Sequence, residues 1–269
     1  MRTQAFMNFW ILALILGLSF VACTNTSPEE HDEEAMEEET TGPAEYTVTA
    51  FTPSAEFGDA SIDGVEFSNG KFDFQIGGST YKLGVQTPDA PQKMCANSAE
   101  GQHIHLIVDN EPYAAKYTAS FDYQIPDGEH YVLAFLSRSY HESIKTPQAK
   151  VALKAQVANN GFSSVEDITQ PMLFYSRPKG TYVGKANTEK VMLDFYLVNV
   201  QLGMDYKVQV DINGEQSIVV DQWQPYYIEG LPMGDNKIKL TLIDKDGNPV
   251  DTPLNPVERV FTLQEDPAE

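Results

Sequence analysis

Hydrophobic and polar positions alternate in short runs over most of the chain. Phe72-Asp73-Phe74-Gln75-Ile76, Tyr206 to Ile212 (YKVQVDI), Lys237 to Ile243 (KIKLTLI) and Arg259 to Leu263 (RVFTL) show the two-residue period. In a strand, that period sends successive side chains to opposite faces. His103 to Val108 (HIHLIV), Tyr131 to Leu136 (YVLAFL) and Met192 to Val200 (MLDFYLVNV) are more continuously apolar. Turn residues bound these runs: Gly77-Gly78, Asp109-Asn110, Pro126-Asp127-Gly128, Asn213-Gly214, Gly234-Asp235-Asn236 and Asp246-Gly247. Asn213-Gly214 between two such runs predicts a type I′ hairpin. No segment beyond the N-terminal leader carries a long 3.6-residue pattern. Many short strands with frequent turns predict an all-β protein built as sandwich or barrel.

An internal repeat narrows the choice. IPDGEHYVLAFL (Ile125–Leu136) aligns without gaps on LPMGDNKIKLTL (Leu231–Leu242), and Thr146-Pro147 falls on Thr252-Pro253 at the same shift. Each copy has a proline-glycine turn feeding an alternating strand, where glycine permits a positive φ at the corner. The phrase resembles the late strands of Ig-like and fibronectin-type sandwiches. The expected fold is two tandem Ig-like β-sandwiches, residues 46–165 and 166–269, after a leader (1–22) and a tether (23–45).

The leader has Arg2, an apolar run Phe9 to Leu18, and Ala22 directly before Cys23. The run is shorter than the roughly twenty residues that span a bilayer core. It resembles the lipobox of bacterial lipoproteins, which implies cleavage before Cys23, lipid on that cysteine and a membrane-anchored mature chain. The following stretch, 23–45, holds nine acids and no base. It cannot bury enough apolar surface to fold, and it repels itself into an extended tether. Acidic runs at this place resemble the surface-export signals of Bacteroidota lipoproteins. They imply an outer-membrane protein facing the cell surface, with the periplasm as the alternative.

Charge then limits the partners. Beyond the tether, 17 Lys and Arg face 30 Asp and Glu. So negative a body excludes wrapping nucleic acid, which needs clustered cations against phosphate. With Cys23 given to lipid, Cys95 has no partner for an intrachain disulfide.

Chemistry concentrates in the first copy, which holds His103, His105, His130 and His141 and a loop from Thr87 to Gln102; at the repeat shift the histidines meet Gln209, Asp211, Asn236 and Gly247. His103 and His105, two apart on a strand, project to one side. With Cys95 and His141 they form a candidate metal set for zinc or copper, to which Met94 would add a soft thioether. A second candidate is an anion site in YSRPKGTYVGK (175–185). Arg177 offers a bidentate fork, Lys179 and Lys185 add point charge, and Arg138 and Ser143 are further donors. Ser137, His141 and Glu142 cluster in sequence, but GxSxG and HExxH are missing, and no catalytic residue is expected.

The segments MCANSAEGQHIHLIVDNEPYAAKY, PDGEHYVLAFLSRSYHES, LFYSRPKGTYVGKAN and DQWQPYYIEGLPMGDN carry a wider likeness. From Phe51 to Glu269 the chain resembles a flavobacterial-type family of Bacteroidota lipoproteins of uncertain function, often labelled phosphopeptide-binding proteins. The resemblance implies a phosphate ligand falling on Arg177, Lys179 and Arg138. The sequence thus yields a ranked expectation. First stands a non-catalytic, lipid-anchored binding protein for an anionic or phosphorylated peptide, or for a protein partner. The alternative is a zinc or copper module on Cys95, His103, His105 and His141, and a hydrolase ranks third.

Overall fold

The structure, a computed structural model, describes residues 45–267. Cys23, the leader and almost all of the acidic tether lie outside the described residues. In chain order the strands are β1 (Thr47–Ala50), β2 (Ser61–Ser68), β3 (Lys71–Gly77), β4 (His103–Val108), β5 (Ala114–Lys116) and β6 (Ser120–Asp122). Then come β7 (Gly128–Ser137), β8 (Lys150–Ala158), β9 (Gly161–Asp167), β10 (Met172–Arg177), β11 (Gly180–Val183) and β12 (Val191–Val198). The chain closes with β13 (Tyr206–Ile212), β14 (Gln216–Val220), β15 (Tyr226–Glu229), β16 (Gly234–Asp244) and β17 (Val257–Gln264).

These strands make two β-sandwiches, as the alternation predicts. The first stacks sheet β2-β3-β6 on sheet β5-β4-β7-β8-β9. Phe67, Phe72 and Phe74 from one sheet meet Ile104, Leu106 and Leu136 from the other in its core. The second stacks β1-β15-β12-β10 on β11-β17-β16-β13-β14. Leu173, Leu193 and Phe195 there face Val208, Leu240 and Phe261.

The duplication is visible in the sheets. The five-stranded sheets run β5-β4-β7-β8 and β14-β13-β16-β17, the same order, and differ in the last edge strand. β7 and β16 start at the repeat's two glycines, Gly128 (φ 143°) and Gly234 (φ 97°). The register corrects the gapless alignment outside the hairpin itself. His103 pairs with Ser137 as Lys207 pairs with Ile243, and His105 pairs with Phe135 as Gln209 pairs with Thr241. The structural counterparts of His103 and His105 are therefore Lys207 and Gln209, because the two copies differ by two residues between these strands.

The first strand departs from a strictly tandem division at residues 46–165 and 166–269. β1 pairs antiparallel with β15, Thr47 opposite Glu229 and Ala50 opposite Tyr226, and Tyr46 is buried in the second core. It covers the edge that β15 would otherwise leave unpaired.

A third apolar layer positions the site. Ile107, Leu133 and Phe135 on the outer face of the first sandwich pack against Met172, Phe174, Tyr196 and Val198 of the second. Phe135 stacks on Tyr196 with ring centroids 4.9 Å apart. Burying a side chain of this size contributes about 2–3 kcal/mol. The seam explains why β4 and β12 read as continuous rather than alternating apolar runs, and it takes in β10 as well. All three are buried along their whole length, on both faces. In β13 the equivalent outer face is only half-buried and carries Lys207 and Gln209.

Candidate metal centre

β4 sends Ile104, Leu106 and Val108 into the first core. The pleat therefore turns His103 and His105 into the seam. Both are fully buried. His141 arrives from the loop after β7 with its backbone at φ 69°, a left-handed conformation uncommon outside glycine. The three rings converge. His103 Nε2 lies 2.9 Å from His105 Nε2 and 2.9 Å from His141 Nδ1. One nitrogen from each of the three falls within 4.8 Å of the other two. Metal–nitrogen bonds of 2.0 Å at tetrahedral angles hold ligand nitrogens about 3.3 Å apart. To reach that spacing the two 2.9 Å gaps open slightly and the third, within 4.8 Å, closes.

The nitrogens that point away are held. His103 Nδ1 is 2.8 Å from the carbonyl oxygen of Gly101. A carbonyl only accepts, so Nδ1 carries the proton and Nε2 presents a lone pair to the centre. His105 Nδ1 lies 3.3 Å from Ser176 Oγ on β10, across the seam. Orientation through the second ring nitrogen is how proteins fix metal-ligating imidazoles. The His105 ring also lies flat on Tyr113, with centroids 3.6 Å apart and 9° between planes. Tyr113 Oη is 3.2 Å from His141 Nδ1.

Gly101 is required where it stands. Its φ is +91°, and a Cβ there would sit 2.7 Å from the backbone of Val85. Only glycine lets the loop pass that close and still aim its carbonyl at His103.

All three imidazoles are held neutral. Burial pushes His103 down to about 4, with Arg177 and Lys179 adding to the effect against the bond to Gly101. Burial, then the neighbouring histidines and the two cations, hold His105 well below its ordinary value. Burial, Arg177, His103 and Lys179 do the same to His141. Neutral imidazole is the form that binds a metal ion.

The sequence-based set of ligands divides here. Cys95 is not among the converging groups. It is buried in a separate apolar cluster with Phe51, Tyr140, Met192 and Tyr227, and burial pushes its thiol up to about 12. It is a protonated core thiol rather than a ligand. Met94 is exposed. The fourth histidine, His130, stays at its turn, bonded to Asp109 and the Pro126 carbonyl.

The anion candidates divide as well. A β-bulge between Tyr175 and Arg177 sets Arg177 opposite Asp194 and turns it toward the seam. Its guanidinium stacks on Tyr182, 5.2 Å from the ring centroid, and Nη1 is 3.5 Å from the Tyr140 carbonyl. Lys179 Nζ donates to the Tyr113 carbonyl at 2.7 Å and lies 3.9 Å from that ring's centroid. These two cations adjoin the histidines. The other three candidates lie elsewhere. Arg138 donates to the carbonyls of Ala55 and Ser143 and faces Glu142 at 3.6 Å. Ser143 gives its N–H to buried Asp194, and its hydroxyl accepts from Lys145. Lys185 is exposed, at the start of a short helix (Lys185–Thr188, α1), with its backbone N–H on Asp266. They are structural groups and a surface lysine, so no five-residue anion cradle forms.

Two site residues escaped the sequence reading of the histidine centre. Ser176 was legible only as part of the basic motif. Tyr113 lies in a polar turn with no periodic signal.

No family model matches the sequence, and no curated protein does. Among solved structures, "Structures of Clostridium thermocellum CbhA fibronectin(III)-like modules" is similar to part of the chain. The identity is 13%, the match covers 36% of this chain and 100% of that one, and the TM-score is 0.28.

Proposed function

We propose that the chain is a non-catalytic binding lipoprotein, anchored to the outer membrane through lipid on Cys23. In this reading it takes up one zinc or copper ion through His103, His105 and His141. The observation that carries it is the convergence of three neutral ring nitrogens, two of those rings being hydrogen-bonded on the far side. Three imidazoles with one open position suit either metal, and zinc is commonly bound in this way. The acidic tether would hold the centre away from the membrane surface. No helix among the described residues is long and apolar enough to cross a membrane.

Recognition of an anionic peptide across Arg138, Ser143, Arg177, Lys179 and Lys185 has less support, since Arg138 and Ser143 are committed elsewhere, Lys185 stands apart on the surface, and Arg177 is only 5% exposed. A hydrolase has less support, since the hydroxyl beside the histidines, Ser176 Oγ, is fully buried on the far side of His105.

Elemental analysis of the purified mature chain after metal loading and gel filtration tests the reading. One equivalent of zinc or copper is expected, lost in His105→Ala. A chain that retains no metal, or a His105→Ala variant that keeps it, overturns the proposal.

A further inference from the structure

Two cations, Arg177 and Lys179, adjoin the three histidines. Arg177 is 5% exposed, and its Nε has no hydrogen-bond partner. Nη1 reaches the Tyr140 carbonyl only at the 3.5 Å limit, and the other polar neighbour of the guanidinium is the Tyr182 hydroxyl. Lys179 lies beside it over Tyr113. Neither cation is in an ion pair among the described residues. The nearby carboxylates are already engaged: Asp194 holds Lys145 at 2.6 Å, and Glu142 holds Arg138. The ligands themselves are neutral, with no thiolate or carboxylate to offset the ion. Zn²⁺ or Cu²⁺ would therefore bring its full charge next to two uncompensated cations in a dry seam, where such repulsion is costly.

Resting on the metal reading above, we propose that the ion is bound together with a small anion, which occupies the coordination position that three histidines leave open and is gripped by Arg177. Three features fit. The Arg177 guanidinium has an unused donor, and charge-assisted bonds from arginine to anions are strong. The bulge in β10 aims that side chain at the residue preceding His141. Tyr113 Oη now faces His141 Nδ1. Once that nitrogen gives its lone pair to a metal, the hydroxyl needs a new acceptor, and a metal-bound anion would supply one. Lys179 adds charge at the same place. The burial of His103, His105 and Arg177 limits the anion to a few atoms, of the size of azide, formate or a halide, and His141, the partly exposed ligand, marks the way in.

The test is a titration of the copper(II)-loaded full chain with azide at constant ionic strength, with perchlorate as the balancing anion. A saturable azide-to-copper charge-transfer band is expected. Its dissociation constant should rise at least tenfold in Arg177→Met and severalfold in Lys179→Met, with copper still held by the histidines. Lys179→Met, at a half-buried position, serves should Arg177→Met fail to fold. A copper-loaded chain that azide does not perturb, or azide affinity equal in wild type and both variants, overturns the anion but leaves the metal reading standing. A wild-type chain that binds no copper overturns both.

Discussion

Acidification should loosen the metal-free protein well before its carboxylates titrate. The perturbation is a drop from pH 7.5 to pH 5 with chelator present. Unfolded, an imidazole titrates near 6.5. Folded, His103 is pushed down to about 4, chiefly by burial. A folded value below the unfolded one means that the unfolded chain takes up the proton first. Stability is therefore complete above the unfolded value and drains away as pH falls toward the folded one. At pH 5 the unfolded ring is protonated by about thirty to one and the folded ring is about nine-tenths neutral, which favours unfolding by about 2 kcal/mol. His105 and His141 are shifted in the same direction and add to the loss. Glu142, raised by burial, works the other way, gaining stability as its carboxyl takes up a proton. Asp59, held low by hydrogen bonds from Thr80 and Ser79, matters only at the acid end, below the histidine window. Urea unfolding at the two pH values measures the difference. His103→Asn, which keeps a donor toward Gly101, should shrink the drop by about 2 kcal/mol. Equal stability at pH 7.5 and 5, or an undiminished drop in His103→Asn, would refute the reasoning.

Further outcomes follow from single contacts. Gly101→Ala forces a side chain against Val85 at a φ of +91°, displacing the carbonyl that orients His103. Zinc affinity in a competition assay should fall about 10- to 100-fold, as for lost partners of metal ligands. Cys95→Ala should leave that affinity unchanged, and the native thiol, buried and protonated, should resist a thiol reagent until the chain unfolds. Phe135→Ala removes the ring stacked on Tyr196 in the seam and should cost about 3–5 kcal/mol in urea unfolding. Asp194→Asn strands Lys145 beside a buried site and should cost about 3 kcal/mol by the same measurement.

Much of the architecture was legible because it is written in local pattern. Alternation marked β3, β13 and β17, and the two proline-glycine phrases marked β7 and β16 as equivalent strands. What escaped was the seam. A run such as HIHLIV looks the same whether its second face meets a partner sheet or water, so the continuous burial of β4 and β10 appears only once the sandwiches are stacked. The same blindness shaped the site. Spacing alone put His103 and His105 on one face, and the structure brings His141 to them. Proximity in sequence wrongly drew in Cys95, whose loop carries it past the histidines to Tyr140 and Met192. Arg177 and Lys179 read as one anion site with Lys185. The bulge at Tyr175 and Arg177, which no local composition announces, turns Arg177 inward. Likewise β1 is a short polar strand whose partner, β15, lies far along the chain.

X-ray absorption at the metal edge of the zinc- or copper-loaded chain bears most directly on the histidine centre. Three imidazole nitrogens at about 2.0 Å, with no sulfur near 2.3 Å, are predicted. A spectrum showing sulfur at that distance, or fewer than two imidazoles, would contradict the assignment of His103, His105 and His141 as the ligands.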